Sequence, residues 1–175
     1  YGEGDPMVLA ICGHSLIASG MKPEGLALVR RGLQANPHNL TILVFGGICN
    51  MMTGDLDEAE SCYRRAHQLS PGAPEAFESL VGIGGCRFFN KDYASALEWL
   101  EQARATLVDW PPAYWILTAT YAHLDRLDEA RVTLRRLLEI APQTSLAGLG
   151  NIAARSDGRF GLLLDGLQKA GLAAD

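Results

Sequence analysis

Two segments of the chain repeat one pattern of small and apolar residues, and this repetition constrains the fold more than any other feature. The run that ends at Ala59 (GDLDEA) recurs as the run that ends at Ala130 (DRLDEA). Four and seven positions after each alanine comes an apolar, aromatic or small residue, and twelve positions after it comes a proline. Such self-similarity indicates stacked helical hairpins, because one hairpin cannot bury its apolar face alone.

A period of 34 residues, which separates Pro37 from Pro71, extends the pattern along the chain. The third unit needs three extra residues, which we place near Arg87–Lys91, with Phe77, Leu80 and Val81 at the key positions of its first helix. A proline ends a second helix because it cannot donate the backbone hydrogen bond. The frame predicts four units of two helices each, at about 6–39, 40–73, 74–110 and 111–144.

Small residues recur where the two helices of one hairpin should meet. Gly13 and Gly47 hold this place in first helices, and Ala59 and Ala130 hold it in second helices. We expect the paired helices to approach closely at these positions.

These residues carry a resemblance to the tetratricopeptide repeat, over about residues 6–144. Four matches in a consistent phase make this resemblance much more specific than a single one. It implies an all-α fold, a right-handed α-α superhelix of about four helical hairpins. It also implies that the first helix of each unit lines the concave side of the superhelix.

A narrower resemblance covers about residues 40–175. The chain is similar to the repeat regions that follow the catalytic domain in bacterial class III adenylate/guanylate cyclases, and to those of winged-helix transcription regulators. None of the cyclase catalytic motifs is present in these residues, so the resemblance implies a non-catalytic regulatory module of a longer chain. The segments that carry it are SPGAPEAF (70–77), KDY (91–93), ALEW (96–99), PA (112–113), AHL (122–124) and GLQKAGL (166–172).

The predicted concave groove is apolar and rich in methionine. Chaperone-binding members of the repeat family place basic side chains there, and this chain does not, so we predict no binding of acidic chaperone tails. A methionine-rich surface suits an apolar helix or an extended segment of a protein partner. Alternatively, Ile17, Ile48 and Met51 simply pack between first helices. The candidate binding residues are Met7, Ala10, His14, Thr41, Val44, Ile48, Met52, Glu75, Glu78, Trp115, Ala119 and His123.

Residues 145–175 leave the repeat frame and carry one further apolar helical stripe: Phe160, Leu163, Leu164 and Leu167. Two glycines within the stripe weaken the helix, so it must dock to be stable. We predict a C-terminal capping helix, which starts near Ser156 or Asp157 and ends at Gly171. The alternative is a helix that lies in the concave groove of its own or a neighbouring chain, where it would be autoinhibitory or dimer-forming.

Composition excludes several classes of function. Hydrophobic residues make up 48% of the chain, which favours a folded domain, and a net charge of -5 disfavours nucleic-acid binding. No stretch reaches the roughly 18 apolar residues of a membrane helix, and no leader segment is evident. Tyr1 in place of an initiator methionine suggests a fragment or a processed chain. We expect a cytoplasmic location.

The cysteines and histidines form no chemical motif. Cys12, Cys49, Cys62 and Cys86 all lie in apolar helical patterns, which predicts four buried free thiols. The histidines lack metal-ligand spacing, and no nucleophile or phosphate-binding motif occurs. We therefore predict no catalytic residue, no metal and no cofactor in this fragment.

The predicted function is a protein-interaction or regulatory module of a bacterial signalling protein. Its partner would be a protein or peptide segment, the chain's own upstream domain or a second copy. Two alternatives stay open: a homodimerisation arm of a cyclase, and the repeat region of a transcription regulator.

Overall fold

The computed structural model describes residues 4–71, 77–106, 109–153 and 158–175, and the regular elements within these ranges are all α-helices. The predicted all-α fold is therefore confirmed. The chain divides after Cys86 into two units, called unit 1 and unit 2, and each is described by itself. The helices are α1 Pro6–Ala18, α2 Lys22–Ala35, α3 Leu40–Thr53, α4 Leu56–Leu69, α5 Phe77–Phe89, α6 Tyr93–Arg104, α7 Pro111–His123, α8 Leu127–Ile140, α9 Leu146–Ala153 and α10 Phe160–Ala170.

One turn geometry joins the helices of all four pairs, from α1/α2 to α7/α8. In each turn a residue takes a left-handed backbone conformation, and the next N–H donates to the carbonyl five residues earlier. This bonding satisfies carbonyl groups that the end of a helix leaves unpaired. The left-handed residues are Gly20, Gly54, Lys91 and Asp125, and the bonds are Met21 to Leu16, Asp55 to Asn50, Asp92 to Arg87 and Arg126 to Tyr121, at 2.9–3.0 Å.

The turns give the register of the third pair, and it differs from our prediction. Each first helix begins 14 residues before the left-handed residue, and each second helix begins two after it. The three extra residues therefore lie in the connection 70–76, between α4 and α5, of which 72–76 are outside the described residues. Our placement near Arg87–Lys91 was wrong, because a lysine there takes the backbone conformation that Gly54 takes in the second pair. The key positions become Leu80, Ile83 and Gly84.

The close helix approach predicted in unit 1 is confirmed at two glycines. A Cβ atom at Gly13 would lie 2.6 Å from the Gly25 carbonyl oxygen and 2.6 Å from Cγ2 of Val29. A Cβ atom at Gly47 would lie 2.5 Å from the ring of Tyr63. Neither helix pair could close with a larger side chain at these points.

The four thiols do not share one environment. Cys49, Cys62 and Cys86 are buried as predicted, but Cys12 is exposed, so that part of the prediction was wrong. Burial raises the pKa of both Cys49 and Cys62 to about 12. Cys12 lies on a face of α1 that no described residue covers. The apolar pattern of the sequence does not show whether such a face is covered.

Candidate interaction face

The register places the predicted binding residues on one side of the first helices. They fall at the second, fifth, ninth and thirteenth residues of α1, α3, α5 and α7, a spacing that lines one helix face. We use the name first-helix face for the residues at these four positions together with the residue at the twelfth position of each first helix. Glu78 keeps a place on it as the second residue of α5, whereas Glu75 lies outside the described residues.

In unit 1 the first-helix face is only partly covered. Thr41 and Glu78 are exposed, and Met7, His14, Ile48, Met51 and Met52 are half-buried. The imidazole of His14 meets the ring of Phe45 edge-on, with centroids 5.7 Å apart. This part of the face offers apolar, sulfur-containing and imidazole groups to a ligand.

Two other predicted residues lie beneath the surface of unit 1. Ala10 is 0% exposed and Val44 is 5% exposed. Ala10 lies close to α2, since its amide nitrogen is 3.5 Å from where a Cβ atom of Gly32 would be. These small side chains belong to the packing beneath the surface, as does Ile17 at 3% exposure. Assigning Ala10 and Val44 to an open groove was therefore wrong.

In unit 2 the C-terminal helix α10 lies on the first-helix face. A Cβ atom at Gly166 would be 2.6 Å from the Cβ atom of Ala119 and 3.0 Å from its carbonyl oxygen. The backbones of α7 and α10 therefore meet at these two small residues. In its own chain, α10 therefore packs on the first-helix face of α7, a helix of the last hairpin.

His123 links α7 to α10 through hydrogen bonding. Its side chain is 9% exposed, and Nε2 lies 2.8 Å from the carbonyl oxygen of Leu162. The contact requires a proton on Nε2, because a carbonyl oxygen only accepts. The carboxylate of Asp165 is 3.9 Å from the same nitrogen.

Aromatic rings that our sequence reasoning missed surround His123. Tyr93 stacks on the imidazole at 4.6 Å between centroids and an interplanar angle of 5°, and Phe88 lies 5.7 Å away. Phe89 stacks on Phe160 of α10 at 6.4 Å. Phe88 and Phe89 are the twelfth and thirteenth residues of α5. The turn at 91–93 gives this register, and aligning it with 54–56 would have found them.

The electrostatic environment of Tyr93 reflects the presence of α10. Desolvation raises the pKa of the Tyr93 phenol, and two charges on α10 act on it in opposite directions. Lys169 lowers this pKa and Asp165 raises it. The two form an ion pair at 2.8 Å. Tyr93 therefore lies beside the polar edge of the docked helix.

Two features fix α10 and the chain after it. Gly171 ends the helix in a left-handed conformation, as predicted. The helix begins at Phe160 and Arg159 holds its N-cap position, whereas the predicted caps Ser156 and Asp157 lie outside the described residues. After the helix, the carbonyls of Ala173 and Ala174 accept hydrogen bonds from the first N–H groups of α9, each at 3.0 Å.

Trp115 is half-buried on the face of α7, and its indole Nε1 is buried without a hydrogen-bond partner among the described residues. The described residues contain no group of three His, Cys, Asp or Glu side chains suited to a metal ion. None of the described helices has the length and apolar character needed to cross a membrane.

Comparison with known proteins agrees with this geometry. Models of the tetratricopeptide repeat match residues 40–107 and 111–136. A TPR repeat-containing protein of Bacillus subtilis, YpiA, is 23% identical over 114 residues, and the aligned part is 65% of this chain but only 26% of that protein. The chain thus spans about a quarter of the length of this relative.

Solved structures share the fold at low identity. MamA from Desulfovibrio magneticus matches with a TM-score of 0.66 and 17% identity, covering 98% of this chain and 99% of that one. PilF of Pseudomonas aeruginosa matches with a TM-score of 0.72 and 16% identity, covering 96% and 74%. The two repeat models together cover more than half of the sequence, and the chain therefore belongs to the tetratricopeptide-repeat family.

Proposed function

We propose that this chain is a protein-interaction module whose first-helix face binds an amphipathic helix, and that α10 is the resident occupant of that face in unit 2. The observation that carries the proposal is the contact of Gly166 with Ala119, reinforced by the hydrogen bond from His123 to Leu162. A partner helix would use the same kind of contacts, in competition with α10 or on the open face of unit 1.

One side of α10 is apolar and buried and the other is polar and exposed, as in a helix that binds to a groove as a ligand. Leu163, Leu167 and Ala170 are buried, while Gln168 and Lys169 are exposed. An apolar stripe laid on a helical surface, with polar residues turned away from it, is a common mode of recognition between proteins. This division supports a helix as the ligand over an extended strand.

The face of unit 1 supports the same ligand class. Among its described positions it carries methionine, isoleucine and histidine and no lysine or arginine, so it offers no clamp for a terminal carboxylate. Methionine adapts its shape at low cost and so accommodates helices of different sequence.

The decisive experiment measures binding of a fluorescent peptide with the sequence of residues 158–175. In the variant Gly166→Leu, the new side chain would clash with the backbone of Ala119, so α10 leaves the face and the peptide, which keeps its glycine, takes its place. We expect at least tenfold tighter binding to this variant than to the unaltered chain, by fluorescence anisotropy.

The matched control is Gly161→Leu, because a Cβ atom there meets nothing within 4 Å. This variant should bind the peptide like the unaltered chain. Adding Ala119→Arg to Gly166→Leu should abolish binding, with circular dichroism used to verify that the helices remain. Equal binding by Gly166→Leu and Gly161→Leu, or none by either, would refute the proposal.

The resemblance to repeats of class III cyclases supports a place in a cytoplasmic bacterial signalling protein, as a regulatory module beside a catalytic or DNA-binding domain. A homodimerisation arm is the second candidate. It is favoured by α10 itself, since a helix that docks on its own chain fits the same face of a second copy. Light scattering across a hundredfold range of concentration tests this, and a monomer throughout would exclude the dimer.

A further inference from the structure

A largely apolar stripe on α1 is left uncovered by the described residues. It consists of Val8, Ile11, Cys12 and Ser15, the third, sixth, seventh and tenth residues of the helix. Val8 is 42% exposed and Ile11 46% exposed, and the other two are also exposed. We call these four residues the α1 outer stripe. It is separate from the first-helix face.

The same positions are covered in the next first helix. In α3 they are Ile42, Phe45, Gly46 and Cys49, of which Ile42 is 1% and Cys49 0% exposed. The covering group is partly Leu33 of α2, whose Cδ1 lies 3.0 Å from where a Cβ atom of Gly46 would be. In α3, therefore, the second helix of the preceding hairpin covers part of this stripe, and Cys62 of α4 covers another part, with its Sγ 3.2 Å from the same Cβ position.

The α5 helix repeats the arrangement within unit 1. Its corresponding residues include Ser79, Ile83 and Cys86, each 0% exposed. A Cβ atom at Gly82 would lie 2.5 Å from the ring of Tyr63 in α4. The stripe is thus an interface with the preceding hairpin in α3 and α5. In α1 the same positions have no such helix packed on them among the described residues.

The entry into α1 also matches the entry into α3. The Oδ1 atom of Asp5 accepts hydrogen bonds from Met7 and Val8 N–H groups at 2.8 and 3.1 Å, and Oδ1 of Asn39 accepts one from Ile42 at 3.0 Å. Both caps precede the helix by one residue. In α3 this cap follows a four-residue connection from the preceding hairpin, 36–39.

We infer that the α1 outer stripe binds the second helix of one more hairpin of the same repeat, which lies ahead of α1 in the same polypeptide. By analogy with Leu33 on Gly46, that helix would place an aliphatic side chain over Cys12. The first two hairpins of this chain are joined by the short connection 36–39, and a hairpin tethered in this way outcompetes one from a second molecule because its local concentration is high.

The test is the rate at which Cys12 reacts with a thiol reagent, in the 175-residue chain and in the natural polypeptide that contains it. We expect Cys12 to react at least tenfold more slowly in the natural polypeptide, as measured by mass spectrometry of the labelled peptide. An equal rate in the two would overturn the inference. Protection that instead increases with the concentration of the 175-residue chain would assign the stripe to a second copy and overturn it too.

A substitution provides a second readout. Ile11→Asp should leave the melting temperature of the 175-residue chain nearly unchanged, since the side chain is exposed, but should lower that of the natural polypeptide. The matched control is Val132→Asp on α8, where the valine is 56% exposed outside such a stripe. Equal effects of Ile11→Asp in both polypeptides would contradict the inference.

Discussion

The first-helix faces of unit 1 and unit 2 share repeat positions but differ in what lies on them. The ninth residue is Ile48 in α3, where it is half-buried, and Ala119 in α7, where it is 0% exposed under Gly166. The same position of one repeat is therefore surface in one unit and core in the other. What decides between these states is whether a helix is docked on it.

Side-chain size explains why the helix docks on α7. Ala119 and Ala122 give α7 a low surface, so another backbone can approach within van der Waals contact. The face of α1 and α3 carries longer groups, among them His14, Ile48 and Met52. These would keep a docked helix further from the backbones of α1 and α3 and would contact it through flexible side chains. Under the proposed function, unit 2 therefore fits one small-residue helix, whereas unit 1 fits varied ligands.

The largest effect expected from this comparison concerns the ninth position. Ala119→Glu places a carboxylate in the contact between α7 and α10, and we expect it to lower the free energy of unfolding by about 3 kcal/mol. Ile48→Glu, at the same position of α3, keeps access to water and should cost about 1 kcal/mol. Urea denaturation measures both. Equal losses would mean that α10 does not cover Ala119.

A smaller effect is expected within α10. Gly166→Ala should lower the free energy of unfolding by about 2 kcal/mol, because the added methyl overpacks the contact with Ala119. Gly161→Ala should raise it by up to about 1 kcal/mol, since alanine is the better helix former and the site is open. Thermal and urea denaturation of the pair check the signs. A gain for both would place α10 away from α7.

The histidines of the two faces should differ less. His123→Ala removes a partly buried hydrogen bond and the stacking on Tyr93, for an expected loss of about 1–2 kcal/mol. His14→Ala removes an edge-on contact with Phe45, for about 0.5 kcal/mol. Denaturation with tryptophan fluorescence measures both. A larger loss for His14 would reverse the assignment of covered and open faces.

The smallest perturbation is thiol labelling of the native chain. It tests whether the reagent reaches only the exposed thiol of unit 1 or also the buried ones. Cys12 should react at pH 8, whereas Cys49 and Cys62 should not, because burial raises the pKa of each to about 12 and leaves almost no thiolate. Mass spectrometry after a short exposure to iodoacetamide distinguishes them. Rapid labelling of Cys49 in folded protein would show that the core beneath the face opens.

The helix pairs could be predicted because close packing leaves a mark in the sequence. Gly13 and Gly47 occupy points where a larger side chain would clash, and Ala59 is fully buried, so the spacing of these small residues indicates which helices pair. The register of the third pair could not be read in this way. Lys91 adopts the left-handed backbone conformation that glycine usually takes, so its residue type did not mark the turn. The three extra residues lie in the connection between α4 and α5 rather than at this turn.

The position of α10 was only half predictable. Its apolar stripe and its glycines showed that the helix must dock, and Gly171 marked its end. Where it docks depends on the match of Gly166 with Ala119, 47 residues apart in the chain. Neither residue is unusual alone, since small residues on a helix often lie where the two helices of one hairpin pack together.

The contact of Gly166 with Ala119 can be observed directly in solution. Nuclear Overhauser effects between the Ala119 methyl protons and the Gly166 α protons measure it, with the contact of Gly13 α protons to the Val29 methyls as an internal reference. We predict a strong effect for both pairs in the unaltered chain. A strong reference effect with none between Ala119 and Gly166 would contradict the claim that α10 occupies the first-helix face of unit 2.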